Sequence, residues 1–161
     1  MNSPDIVLIV LDTQRADRLG CYGHTRPITP NLDRFAANGA LVVDGRVYGA
    51  RFRHAERAAE GPAYAAWFRD NGFTEVLEAE HVNEGEGDFL VLDELILAGT
   101  GFRTEVAAHQ EAQEFLGRPV VTLRLVDPRF YHLDTALFPL DGRNVAYYPG
   151  AFSPGSRAVL E

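Results

Sequence analysis

The feature that most constrains this chain is a repeat. Asp44, Asp93 and Asp141 stand at the turns of three apolar, alternating stretches, at spacings of 49 and 48 residues, and two of these turns read Asp-Gly (Asp44-Gly45 and Asp141-Gly142). Asp-Gly between alternating runs is a strong short-range signal for a hairpin, and a period of this length marks an array of supersecondary units. The spans around each turn fit that reading. Ala40 to Phe52 predicts a hairpin, and His54 to Asn71 a helix with Ala59, Tyr64, Ala65, Trp67 and Phe68 on its buried face. Phe73 to Ala79 then predicts a strand. The order recurs as a hairpin over Asp88 to Gly99, an amphipathic helix over Arg103 to Gly117 and a strand over Pro119 to Asp127. A third hairpin spans Thr135 to Pro149, and Ser153-Pro154 opens a third helix. Two and a half units of hairpin, helix and strand form an open array, and an open array leaves one unit interface uncovered. An exposed apolar patch, or homo-oligomers formed through the open edge, is the expected consequence.

Ahead of the repeat, Asp5 to Asp12 (DIVLIVLD) reads as a buried strand ending on a carboxylate. Thr29 to Gly39 carries helix-start chemistry, with Thr29 or Asn31 as cap and Pro30 in the first turn. Strand, loop and helix ahead of the hairpins place the chain in the α/β class.

At 161 residues the chain has the length of one domain with a proper core. Its net charge is −8, and residues 1–40 balance four Asp against four Arg, so the acidic excess lies wholly in 41–161. An acidic body disfavours nucleic acid and anionic membrane surfaces as partners. One cysteine, Cys21, excludes an internal disulfide framework and an all-Cys zinc site. The apolar run Ile6 to Leu11 is too short for a membrane span or a secretory leader, which sets the expected location as the cytoplasm.

The densest chemistry lies between Arg129 and Pro154. His132 and Asp134 are two apart in an alternating run, which on a strand puts them on one face. An imidazole and a carboxylate so placed can move a proton and hold a cation; the plainer reading is a buried histidine held by a carboxylate at a strand end. The segment Glu84-Gly-Glu-Gly-Asp88 is either an acidic turn or a ligand loop, and Arg103 either begins its helix or meets an anion. His54, His81 and His109 lack metal-ligand spacing and read as surface residues.

The chain bears two family resemblances. Residues 1–39, PDIVLIVLDTQRADRLGCYGHTRPITPNLDRFAANG after the first three, resemble the N-terminus of the sulfatase family. There the carboxylate ending the first strand ligates the active-site metal, which would make Asp12 a ligand; the alternative is a strand-end or capping carboxylate. The Cys-x-Pro-x-Arg nucleophile motif of that family has no counterpart at Cys21-Tyr22-Gly23-His24-Thr25.

Residues 35–161 are similar to dimethylargininases and arginine-deiminase-like proteins of the guanidine-modifying superfamily. The resemblance rests on residues 37–52, NEGEGDFLV at 83–91, GTGFRTEVAAH at 99–109 and DPRFYHLDTALFPL at 127–140. It implies a segment 40–161 folded as an incomplete pentein-like α/β propeller, using no cofactor and taking a small guanidino compound as substrate. In that family a cysteine near the C-terminus attacks the guanidinium carbon, a histidine is the acid/base and carboxylates hold the planar cation. The resemblance implies His132 as acid/base, Glu84 as the carboxylate orienting it, Asp134 and Asp88 as guanidinium contacts, and Arg103 as clamp for the substrate's carboxylate. Cys21 lies in the sulfatase-like opening, so the implied protein is a guanidino hydrolase relative without hydrolytic activity of its own. The alternatives are a non-catalytic fragment that binds guanidino ligands or a partner chain, and a sulfatase-like, metal-dependent ester hydrolase.

Overall fold

The computed structural model describes residues 39–161. The strand expected over Asp5–Asp12, the helix expected from Thr29, and with them Asp12 and Cys21, lie outside the described residues. By internal contacts the chain divides into residues 1–36 and 37–161.

The predicted repeat is present. Strands β1 (Ala40–Val43) and β2 (Arg46–Gly49) form the first hairpin, helix α1 (Glu60–Asp70) comes next, and β3 (Glu75–Leu77) returns parallel to β2. Strands β4 (Phe89–Val91) and β5 (Ile96–Thr100), helix α2 (Val106–Leu116) and β6 (Val120–Arg124) repeat the order, with β6 parallel to β5. Strands β7 (Leu137–Pro139) and β8 (Val145–Tyr147) and helix α3 (Pro154–Leu160) begin a third round. The described residues thus hold sheets of three, three and two strands, and none of these closes on itself.

Local chemistry explains the boundaries. Asp44 and Gly45 both have positive φ, 50° and 83°, the pairing a two-residue turn needs to match strand twist. Asp141-Gly142, expected to make the same tight turn, sits instead in a connection spanning residues 140–144. There Asp141 Oδ1 accepts the N–H groups of Arg143 and Asn144, each at 2.8 Å, so the side chain and not a positive φ builds the bend. The first helix starts at Glu60, after a 3-10 turn at Ala55–Arg57, so Ala59, expected on its buried face, is exposed; Ala65 and Phe68 are buried as expected, Tyr64 and Trp67 half-buried, and Gly61 is buried with them. Ser153 caps α3, its hydroxyl accepting the Ser156 N–H, with Pro154 in the first turn.

The first sheet is packed on both faces by helices of successive repeats. Ala40, Val47 and Phe68, with Val42, Trp67 and Val76, hold α1 to the first sheet. On the other face Leu41, Val43 and Tyr48 pack with Ala108, Ala112 and Leu116 of α2 and with Phe89, Ile96 and Ala98 of the second sheet. Leu97, Leu123, Leu133, Leu137 and Phe152 join the second repeat to the third. Tyr48 is fully buried, donates to Glu111 Oε2 at 2.7 Å, and has its phenol pushed well above the usual range by that burial and by Glu111.

His109, expected at the surface, is 3% exposed. It lies at helical spacing from Ala112 and Leu116 and faces its own sheet, Nδ1 at 2.8 Å from Thr122 Oγ1 and Nε2 at 3.1 Å from the Gly99 carbonyl. Burial lowers its pKa, against the opposing pull of the Gly99 carbonyl and Asp88. A histidine whose folded pKa lies below its unfolded value resists protonation in the fold, so its stabilising contribution is complete above the unfolded value near 6.5 and is lost as pH falls below it. Thermal melts between pH 7.5 and 5 are expected to show Tm falling with pH, and falling less steeply in His109→Gln. Parallel slopes would show that His109 does not couple protonation to folding.

Candidate functional site

Glu84 and His132 occupy equivalent positions of successive repeats, 48 residues apart. Each is the residue before a 3-10 turn, Gly85–Gly87 and Leu133–Thr135, that leads into the first strand of a hairpin. His132 and Asp134 therefore sit on a turn and not on a strand, as the alternation predicted, because β7 begins only at Leu137. The Thr135 hydroxyl donates to the His132 carbonyl at 2.6 Å and closes that turn.

Asp88 joins the two turns. Its side chain is 2% exposed; Oδ1 accepts the Leu133 N–H at 2.9 Å and Oδ2 accepts the Thr104 hydroxyl at 2.6 Å. His132 Nδ1 is buried and lies 3.4 Å from Asp88 Oδ1, in ion-pairing reach but without a hydrogen bond. Asp88 thus lies beside the imidazole of His132. Asp88, the implied guanidinium contact, accepts one hydrogen bond on each oxygen, from the Leu133 N–H and the Thr104 hydroxyl. Gly99 allows this approach: a Cβ there would stand 2.9 Å from Leu133 Cβ and 3.3 Å from Asp88 Oδ1.

Glu84 is a buried carboxylate that faces two arginine side chains. Its side chain is 1% exposed, Oε2 accepts from Arg57 Nη1 at 3.1 Å, and Arg103 Nη1 lies 3.8 Å from Oε1. The Arg53 N–H also points to Oε1, at 3.3 Å, and the Glu84 N–H donates to Thr104 Oγ1 at 3.2 Å. Thr104 therefore links the Glu84 backbone to the Asp88 side chain. Asn83, fully buried, sets the loop by donating to the Gly49 carbonyl and accepting the Gly85 N–H.

The cations are braced on aromatic rings. Arg57 Cζ lies 3.5 Å above the Phe52 ring, and Glu60 holds the same guanidinium through Nε and Nη2, raising its pKa. Arg103 Cζ lies 5.0 Å from the Tyr131 ring, and that ring packs 4.8 Å from His132. Asp134 is exposed, yet its pKa is raised by desolvation and by Asp88, with His132 opposing, so it senses the charge of both.

All five implied residues thus gather at one end of the hairpins. Arg57 and Thr104 were not singled out from the sequence. Arg57-x-x-Glu60 was visible as an i,i+3 ion pair; Thr104 carried no signal, since its role depends on a contact 16 residues back. Among the described residues no cluster of three or more His, Cys, Asp or Glu has the arrangement of a metal site. No helix among them is long and apolar enough to cross a membrane.

Comparison with known proteins gives two regions. A family model described as Sulfatase matches residues 4–51, and human arylsulfatase A is 51% identical over 41 residues, 26% of this chain and 8% of the human protein. The longer matches are of another kind. The N(G),N(G)-dimethylarginine dimethylaminohydrolase of Mycobacterium tuberculosis is 52% identical over 126 residues, 78% of this chain and 41% of the relative. The bifunctional arginine dihydrolase/ornithine cyclodeaminase ArgZ of Synechocystis is 45% identical over 130 residues, 79% of this chain and 18% of the relative. The chain spans less than half the length of these relatives. Among solved structures, the N-terminal domain of ArgZ bound to its product superposes with a TM-score of 0.73 at 45% identity, over 79% of this chain and 48% of that one. A Pseudomonas aeruginosa DDAH, at 20% identity and a TM-score of 0.61 over 77% of this chain and 50% of that one, shares the fold.

Proposed function

From the premise that residues 37–161 carry the sequence and the fold of the guanidine-modifying superfamily, we propose that the site around Glu84 and His132 binds a small guanidino compound of the arginine or dimethylarginine type. We place the join to the sulfatase-like segment at residues 39–40 and take the three sheets as part of an open propeller. The observation that carries the binding reading is Glu84: a buried carboxylate that already receives a guanidinium, beside a histidine backed by a second buried carboxylate. A guanidinium presents a rigid fork of donors that a carboxylate accepts in plane. In this reading Glu84 takes the ligand's guanidinium, Asp134 contacts its far edge, and Arg103 meets the ligand's carboxylate. His132 is the acid/base, and Asp88 holds its ring.

Hydrolysis to citrulline requires a nucleophile at the guanidinium carbon. The chain's one cysteine, Cys21, belongs to the sulfatase-like segment, so by itself the protein is proposed to bind without turning over. The test is a citrulline assay of the full chain with arginine and with dimethylarginine. Ligand-protected melting without citrulline supports the reading. Citrulline formation that His132→Ala abolishes makes the chain a complete hydrolase, and turnover unchanged in His132→Ala, or no effect of either ligand on melting, overturns the assignment.

A further inference from the structure

The Glu84 carboxylate is closed to solvent, and an arginine of this same chain helps to close it. The Glu84 side chain is 1% exposed. Its oxygens meet two cations, Arg57 Nη1 in a hydrogen bond of 3.1 Å and Arg103 Nη1 at 3.8 Å. A further contact is the Arg53 N–H at 3.3 Å, a backbone group held in place by the chain. A ligand guanidinium that reaches this carboxylate therefore displaces a side chain, and Arg57 is the one hydrogen-bonded to Oε2.

Arg57 is placed so that it can leave. It ends the 3-10 turn Ala55–Arg57, in which no residue is buried, and its side chain is 41% exposed. Nη1 is the atom on Glu84, and the rest of the guanidinium is held elsewhere. Glu60 accepts Nε on both oxygens, at 3.0 and 3.1 Å, and Nη2 on Oε2 at 2.9 Å, while the Phe52 ring lies 3.5 Å from Cζ. The guanidinium thus has a second charged seat in the first turn of α1. An ion pair with one partner this exposed is weak, so exchanging it costs little. Two guanidinium ions side by side on one carboxylate would repel each other, which favours exchange over sharing.

We infer, on the strength of the guanidino reading above, that Arg57 is an internal competitor for Glu84: a ligand's guanidinium replaces it there, while Glu60 and Phe52 keep the arginine. The exchange swaps one guanidinium for another, so that group alone gains little. Net affinity comes from what else the ligand carries, and in this reading the carboxylate of an arginine-type compound meets Arg103. Arg57 raises the concentration at which any guanidinium ligand fills the site, by the fraction of chains in which it holds Glu84. A simple guanidinium ion, with nothing further to offer, stays below that threshold.

The test is NMR chemical-shift titration of the full chain with arginine and with methylguanidine, which has no carboxylate. Arg57→Gln is expected to tighten both by about two- to fivefold, the factor such an ion pair is worth. Glu60→Gln removes the charge of the second seat and leaves Arg57 leaning on Glu84. It is expected to weaken both ligands by about twofold or more, an effect that vanishes once Arg57→Gln is present, because Glu60 acts through Arg57. Arg57 and Glu60 are 41% and 39% exposed, so the substituted chains should melt with the parent. If Arg57→Gln weakens arginine and spares methylguanidine, Arg57 is a clamp for the ligand's carboxylate and the proposal is overturned. Equal affinities in parent and Arg57→Gln, or a Glu60→Gln effect that persists without Arg57, would overturn it as well. Each of these leaves the guanidino reading standing, since the parent binds; binding by neither parent nor Arg57→Gln overturns both.

Discussion

Asp88→Ala is expected to destabilise the fold by about 3 kcal/mol, the cost of leaving two buried donors without an acceptor. Those donors are the Leu133 N–H and the Thr104 hydroxyl, both on a carboxylate that is 2% exposed. The loss reaches beyond local stability, because Asp88 is the side chain that ties the turn before β7 to the second hairpin. His132 would lose the charge 3.4 Å from its Nδ1 at the same time. Asp88→Asn keeps an acceptor for Leu133 and is expected to cost less than half as much while still removing the charge. Chemical denaturation of the three proteins checks this order; a loss under about 1 kcal/mol in the alanine variant would show that Asp88 does not hold the two repeats together.

Phe89→Ala is expected to be comparable or larger, about 3–5 kcal/mol for a large aromatic removed from a filled core. Phe89 is 1% exposed and meets Tyr48 edge-on at 5.8 Å and His109 at 5.5 Å, so one ring packs against the first sheet and against α2. Removing it opens a cavity at the interface of the first two repeats and loosens His109 from its bonds to Thr122 and Gly99. Measured by denaturant melts, the variant should retain its slope and lose midpoint; an unchanged midpoint would mean that the first and second repeats are not packed through this ring.

Much of the architecture was legible because it is carried by local signals repeated three times. Asp44-Gly45 specified its turn outright, Gly117 stopped α2 with a φ of 69°, and Ser153-Pro154 capped α3. What failed to be legible depended on contacts distant in sequence. Alternation from His132 to Phe138 suggested a strand, but the N–H of Leu133 is taken by Asp88, 45 residues earlier, and that bond favours a turn. His109 looked like a surface residue until the Gly99 carbonyl and Thr122 gave both ring nitrogens a partner inside. Of the site, the residue types were legible and their contacts were not: the sequence offers Glu84 and Asp88 in one acidic loop, and only the fold puts Asp88 3.4 Å from His132 Nδ1 and Glu84 against Arg57 and Arg103.

The central claim is that Glu84 is a seat for a guanidinium. Calorimetric titration of arginine into the full chain, beside Glu84→Gln, tests it most directly. The account predicts saturable one-to-one binding with a Kd of about 1 mM or tighter, weakened at least tenfold when the Glu84 charge is removed. Binding of equal strength in both proteins, or no binding to the parent, would contradict it.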